Sequence, residues 1–378
     1  MVATAAQNFD LIVVGAGPAG SAAALAALRE RPTARVLILD RAPLGRDKTC
    51  GDGIGPDAVT ELTQLGLTEQ LRPQERVSRF RLVAPSGVEI LGVAPLPGYV
   101  VPRREFDLRL MSAAIAAGAI FQQHAVHEIH QNERDVAVDG RWSAPVLIGA
   151  DGANSTVRRA AGEPRNRGRH LAVAVRGYVA AADGLDELYI RWDPVPGDGL
   201  GYAWAFPTAR GMANVGYGTA AEGVSKAHLV KRASELLPAF AIESTRMTGH
   251  LLPLSTRMPR LAVGRILLVG DAASQINPLT GEGIFYALAS GALAGRVGIA
   301  DSDAGNAYPR ALRKRFGRQH RQLRALYPLI DRPRAIEATV RACARDERLF
   351  QRVLAVGLGD ATFNIADLGR FAGAMLRR

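Results

Sequence analysis

Apolar residues in the first forty positions fall into two short runs with a glycine- and alanine-rich stretch between them. Residues 9–14 form a short, largely apolar and β-branched run, the pattern of a strand buried on both faces. It leads into Gly15-Ala16-Gly17-Pro18-Ala19-Gly20, and an alanine-rich helix is expected from residue 21 to about 30. A second apolar run, 36–39, closes on Asp40. Two distant segments repeat the strand-to-acid turn. Residues 146–158 read VLIGADGANSTVR, with Asp151-Gly152 after the strand and a helix start expected at Asn154 or Ser155. Residues 265–283 read RILLVGDAASQINPLTGEG, with Gly270-Asp271, a loop containing Pro278, and a helix expected over 284–295.

Elsewhere the period changes. Tyr202, Trp204 and Phe206 alternate with Ala203 and Ala205, so a strand here carries all three aromatics on one face. Pro207 ends it, a turn over 208–211 follows, and a partner strand is expected over 212–217. A helix is expected over 103–117. From Asn306 onward Leu312, Phe316, Leu323 and Leu326 recur among arginines at helical spacing. Pro328 and Pro333 are expected to break that region into two segments, which cover the sheet domain or form a lid. The reading is an α/β protein (α+β overall): a Rossmann-like nucleotide-binding domain from 1–75, 100–165 and 255–300, an antiparallel-sheet substrate domain from 76–99 and 166–254, and C-terminal basic helices over 301–378.

Composition narrows the class. With 378 residues, 48% of them hydrophobic and 22% charged, the chain is an ordinary globular one. No run of some 18 uncharged apolar residues predicts a spanning helix, and residues 1–8 lack the basic region of a secretory signal. Cys50 and Cys343 stand too far apart for a metal spacing, so a reduced, cytoplasmic home is expected. The net charge of +11 is concentrated: residues 308–352 hold 13 Lys/Arg against 4 Asp/Glu. That stretch reads as a solvated basic face or as a patch for anionic lipid or diphosphate, hence peripheral to a membrane. No aromatic-and-basic interleaving supports nucleic acid.

The glycine unit has a physical task at each position. Gly15 permits the tight turn, Gly17 lets a pyrophosphate approach the backbone, and Gly20 lets helix pack on strand. The helix N-terminus offers N–H groups to phosphate, and Asp40 can accept from both ribose hydroxyls of an adenosine. Two further strand-to-acid turns returning to the same domain suit a long cofactor, FAD rather than NAD. Asp271 would reach the ribityl or phosphate region. The helix starting near Gly281 would aim its N-terminus at the pyrimidine edge of the flavin.

GAGPAG, GADGANSTVR and GDAASQINPLTGEGI together resemble the FAD-dependent oxidoreductases built like para-hydroxybenzoate hydroxylase. Lys48-Thr49-Cys50-Gly51-Asp52-Gly53 and Gly201-Tyr202-Ala203-Trp204-Ala205-Phe206-Pro207 further resemble the geranylgeranyl reductase family. The resemblance implies FAD contacts at Gly15, Gly17, Ala19, Gly20, Asp40 and Arg41, at Cys50 and Gly51, and at Arg103 of RREFD. It adds Asp271, Gly281, Gly283 and Ile284. Asp151 is expected either to serve the cofactor or to cap the next helix.

Cys50, placed by the resemblance beside the flavin, is the candidate catalytic residue: a proton donor or substrate-orienting group whose pKa Lys48 and backbone N–H groups could lower. Packing of the loop is the alternative. Asp52 reads as a turn residue. Tyr202, Trp204 and Phe206 are expected to wall a lipophilic substrate cavity, or else to pack as an ordinary sheet face. His124, His127 and His130 lie in a stretch read as strand, where the outer two stand roughly 20 Å apart, so no metal site is expected. The sequence has no second GxGxxG after a strand, so electrons are expected from NAD(P)H bound without its own Rossmann domain or from a separate reductase. The expected reaction is hydride transfer from reduced flavin N5 to a carbon–carbon double bond of an isoprenoid or terpenoid. Oxygenation by a flavin C4a-hydroperoxide, as in a monooxygenase, and a non-catalytic redox sensor are the alternatives.

Overall fold

The computed structural model describes residues 6–71, 76–194, 200–220, 222–330 and 332–376. Residues 1–5, on which part of the leader reading rests, lie outside them.

A six-stranded sheet has the order Ala262–Val263, Ile266–Leu268, Leu147–Gly149, Leu11–Val14, Val36–Asp40, Ile120–Gln123. All its pairings are parallel except the Ala262–Val263 edge. Leu11–Val14 lies at its centre and is buried on both faces, as a continuous β-branched run requires. Leu11 and Val13 face helices Pro18–Glu30 and Ile284–Ala300, while Ile12 and Val14 face a small sheet carrying Val136, Val138 and Trp142. The two helices touch backbone to backbone. A Cβ on Gly291 would lie 2.1 Å from the Ala19 carbonyl oxygen, and one on Gly295 2.0 Å from that of Ala23.

An eight-stranded sheet runs Thr248–Pro253, Leu171–Ala180, Met212–Thr219, Gly201–Thr208, Leu188–Trp192, Arg76–Val83, Glu89–Val100, Gly53–Ile54. Its strand period sorts residues between two cores. Ala203, Ala205, Val215 and Tyr217 pack under helix Lys226–Leu236. Phe206, Phe80, Leu82 and Leu188 face the opposite way, toward helices Pro333–Arg345 and Glu347–Leu358. The C-terminal helices therefore cover the sheet.

Two expectations need correction. Residues 121–130 are not one strand: pairing stops at Gln123 and resumes at Ile129–Gln131. The break is made by Asp139, which accepts from His124 Nε2 (2.6 Å) and from the backbone N–H groups of His127 and Glu128. Pro328 does not divide the C-terminal region either. Helix Ala304–Ile330 runs through it, because a proline in the last turn forfeits only one hydrogen bond. Pro333 does open a new helix at its first position, where no N–H is needed.

Candidate active site

The glycine turn joins strand Leu11–Val14 to helix Pro18–Glu30. Gly15 has φ +111°, and a Cβ there would lie 2.2 Å from the Ala150 carbonyl oxygen. A Cβ on Gly20 would lie 1.8 Å from the Gly15 carbonyl oxygen. Gly17 is different: a Cβ would meet no protein atom within 4 Å. Gly17 is also the helix N-cap, with no side-chain cap and no acidic residue in the first turn. This N-terminus therefore has open space and unclaimed N–H groups, as a pyrophosphate requires. Asp40 is buried at the end of the next strand and accepts from the N–H groups of Ala16 (2.8 Å) and Ala42 (2.9 Å). Beside it, Ala16, Leu44, Gly45 and Met111 border a narrow crevice. Arg41 is exposed and borders neither this crevice nor the main cavity.

That main cavity, of about 230 Å³, lies between the two large sheets. Pro18, Asp271, Gly281, Gly283 and Ile284 border it from the nucleotide-binding side. Tyr202, Trp204 and Phe206 border it from the eight-stranded sheet, with Phe80, Leu82 and Ile190, and Leu354 and Leu358 close it from helix Glu347–Leu358. Cys50, Gly51 and Arg103 border it as well. The structure thus brings three remote sequence motifs to one apolar space.

Its charged groups cluster around Asp271 and Arg103. Lys48 Nζ lies 2.9 Å from Asp271 Oδ2, and His250 Nε2 lies 3.9 Å from the same oxygen. Burial pushes the Asp271 carboxyl up, but Lys48 and His250 outweigh it and hold the group well below the usual carboxylate range. Burial lowers the His250 pKa, against the pull of Asp271. Arg103 is buried and makes a bidentate pair with Asp107, both bonds 2.7 Å, while its charge also faces the Cys50 thiol. The Cys50 pKa corrects the expectation: burial raises it, and Arg103 and Lys48 only partly offset the rise. The thiol is a protonated acid, not an activated thiolate.

The N-terminus of helix Ile284–Ala300 already holds one carboxyl, since Glu282 Oε1 accepts from the Phe285 N–H at 2.7 Å. Burial pushes the Glu282 carboxyl up to about 7, against the pull of the Phe285 and Ile284 N–H groups. Gly281, at φ +72°, fits beneath Tyr202, whose hydroxyl donates to the Thr280 carbonyl oxygen. Asp151 takes the capping role, accepting from Ser155 Oγ and from the Thr156 (2.6 Å) and Val157 (3.1 Å) N–H groups.

Sequence reasoning missed the residues that hold the Cys50 loop. Arg176 donates to both oxygens of Asp47 (3.0 and 2.9 Å) and to the Lys48 and Cys50 carbonyls (2.8 and 3.1 Å). Asn214 donates to the Cys50 carbonyl and to Asp52 Oδ2, each at 2.8 Å, and accepts from Trp204 Nε1 at 2.9 Å. Asp52 is a turn residue, at φ +64°, but also a fully buried acceptor for Tyr178 and Asn214. Burial pushes its carboxyl up to about 6, against these partners. A charged residue in the otherwise apolar run LAVAVRGYVA was the available signal, because a lone charge there must be buried and paired.

Residues 8–291 match the FAD binding domain family. A menaquinone reductase of Mycobacterium tuberculosis is 36% identical over 356 residues, 88% of this chain and 86% of the relative. A digeranylgeranylglycerophospholipid reductase 1 of Methanopyrus kandleri is 35% identical over 78% of this chain and 81% of its own. Among solved structures, a geranylgeranyl bacteriochlorophyll reductase-like protein from Thermoplasma acidophilum superposes with TM-score 0.79 at 21% identity, covering 98% of this chain and 97% of that one.

Proposed function

We propose, for this chain, which belongs to the FAD binding domain family and is a geranylgeranyl reductase-like FAD-dependent oxidoreductase, that it reduces a carbon–carbon double bond in the isoprenoid chain of a lipophilic quinone or lipid. The observation that carries this reading is the apolar cavity that Tyr202, Trp204 and Phe206 share with Cys50 and the Gly281–Ile284 turn. The names of the menaquinone and archaeal lipid reductases support the substrate class.

On this reading Gly15, Gly17, Ala19 and Gly20 hold the pyrophosphate of FAD, Asp40 the adenosine ribose, and Asp271 the ribityl chain. Gly281, Gly283 and Ile284, which border the cavity, would face the pyrimidine edge of the bound flavin. FAD, when bound and reduced, supplies the hydride to one carbon of the double bond. Cys50 gives its Sγ proton to the neighbouring carbon, and Arg103 beside it balances the thiolate until solvent restores the proton. The three aromatics hold the chain and exclude water. The flavin's electrons come from NAD(P)H or a separate reductase.

Exposed Arg310, Arg313, Lys314, Arg318, Arg321 and Arg324 on helix Ala304–Ile330 support contact with an anionic membrane surface from which such a lipid is drawn. Among the described residues no helix is long and apolar enough to cross a membrane. Sedimentation with phosphatidylglycerol vesicles, but not with phosphatidylcholine vesicles, is the expected result, lost when Arg313, Arg318 and Arg321 become Gln.

The deciding experiment reduces the bound flavin under anaerobic conditions and then adds menaquinone or a geranylgeranyl lipid. Reoxidation without oxygen is expected, with a product whose isoprenoid chain stays heavier by two hydrogens after air has returned any quinol ring to the quinone. Reoxidation only by oxygen, with an oxygenated product, would make the protein a monooxygenase instead.

A further inference from the structure

The Cys50 loop and the aromatic wall are built as one piece. A Cβ on Gly51 would lie 3.2 Å from the Phe206 ring and 3.5 Å from Trp204 Nε1, so the loop rests directly on the wall. Among the described residues, wall and loop share one polar junction, the Asn214 side chain. This residue is fully buried on strand Met212–Thr219. Its oxygen takes the Trp204 indole N–H, and its nitrogen gives one hydrogen to the Cys50 carbonyl and the other to Asp52. Every hydrogen-bonding direction of the nitrogen is thereby used. On the next strand, Arg176 holds the Lys48 and Cys50 carbonyls from the other side.

We propose that Asn214 is a positioning residue that couples the substrate wall to the Cys50 thiol, with Arg176 as the second clamp. The proposal deepens the reading of this cavity as the reduction site and rests on it. A three-way amide in a dry site fixes both partners at once, because any displacement of the Cys50 peptide strands a buried donor. When a substrate chain presses on Trp204, the displacement passes through the Asn214 amide to the Cys50 peptide. The thiol then follows the wall rather than moving with solvent-facing loops. Apolar packing alone would hold the wall but leave the Cys50 carbonyl free to rotate.

Site-resolved alkylation tests this on the FAD-loaded protein. Iodoacetamide labelling is followed by mass spectrometry, with buried Cys343 as the internal slow thiol. In wild type Cys50 is expected to react slowly and only at high pH. In Asn214→Ala the rate should rise about tenfold, the shift that one lost buried hydrogen bond produces. Its pH profile should move down toward that of an ordinary thiol. Flavin content and the Cys343 rate should not change, and kcat should fall more than KM rises. Trp204→Phe keeps an apolar ring but removes the N–H donor, and a smaller change in the same direction is expected. Should Asn214→Ala fail to fold, Trp204→Phe and Arg176→Lys decide the question. Wild-type alkylation rates with an unshifted pH profile in the folded variants would overturn the proposal. Alkylation needs no substrate, so this result stands apart from the anaerobic test of the reduction itself.

Discussion

At the scale of single residues, the glycine turn shows how two identical side chains serve separate demands. Gly20 is required by the protein, since a Cβ would strike the Gly15 carbonyl, whereas the space at Gly17 is open to a ligand. Gly20→Ala should therefore destabilise the flavin-free protein by about 1–3 kcal/mol, the usual cost of overpacking. Gly17→Ala should leave its unfolding free energy within the spread of a surface change, about 0.5 kcal/mol, yet lower the flavin-to-protein ratio after purification. A Gly17→Ala protein that retains full flavin would show that no phosphate approaches there. Cys50 makes the opposite point. Its neighbours Lys48 and Gly51-Asp52 suggested a lowered pKa in the sequence, but one-dimensional proximity omits burial, which dominates.

Helices and strands were legible where their period was strong. Leu11–Val14, Val36–Asp40, Gly201–Thr208 and Met212–Thr219 all form, because their apolar or alternating patterns match the faces they bury. The 121–130 segment was not legible, because its break depends on an aspartate that becomes a neighbour only in the fold. Helix contact gives a second test at this scale. Gly295→Ala would insert a Cβ 2.0 Å from the Ala23 carbonyl oxygen and force helices Pro18–Glu30 and Ile284–Ala300 apart. A loss of about 1–3 kcal/mol in denaturant unfolding is expected, together with weakened flavin binding, since both helix N-termini move. Unchanged stability would mean the two backbones do not meet.

Across the whole molecule, the cavity is closed on one side by C-terminal helix Glu347–Leu358, through Val353, Leu354, Gly357 and Leu358. Leu354→Trp, filling space from the C-terminal side, should lower kcat/KM for a long isoprenoid at least tenfold while the flavin spectrum stays normal. An unchanged kcat/KM would place the substrate elsewhere. Helix Ala304–Ile330 brings an acid sensitivity. His320, packed with Tyr286 and Phe316, is buried, and among the described residues its Nε2 has no hydrogen-bond partner. Burial lowers its pKa to about 4 from an ordinary 6.5. The unfolded chain thus binds the extra proton between those values, so stability present above pH 6.5 is lost as pH falls toward 4. The full effect is about 3 kcal/mol by linkage. His320→Phe should flatten that part of the stability–pH curve in urea unfolding, and an unaltered slope would assign the acid sensitivity to the carboxylates.

The sequence by itself determined the glycine turn, the parallel strands that bracket it, the aromatic face of strand Gly201–Thr208 and the identity of the cofactor class. The elements follow from local chemistry, a period of two or 3.6, a glycine-rich turn and an acid ending a strand, and the cofactor class from three such turns spaced along the chain. Only the tertiary structure decided that Cys50 stays protonated, that Asn214 and Arg176 hold its loop, and that Glu282 occupies a helix N-terminus. Glu282 meets the nearby Phe285 N–H, and only its burial came from the fold. The first two, like the Asp271–Lys48 pair, depend on desolvation and on partners more than a hundred residues away, such as Asn214 on Cys50. No window along the chain contains both members of such a pair, so their energies become readable only once the fold has set the distance.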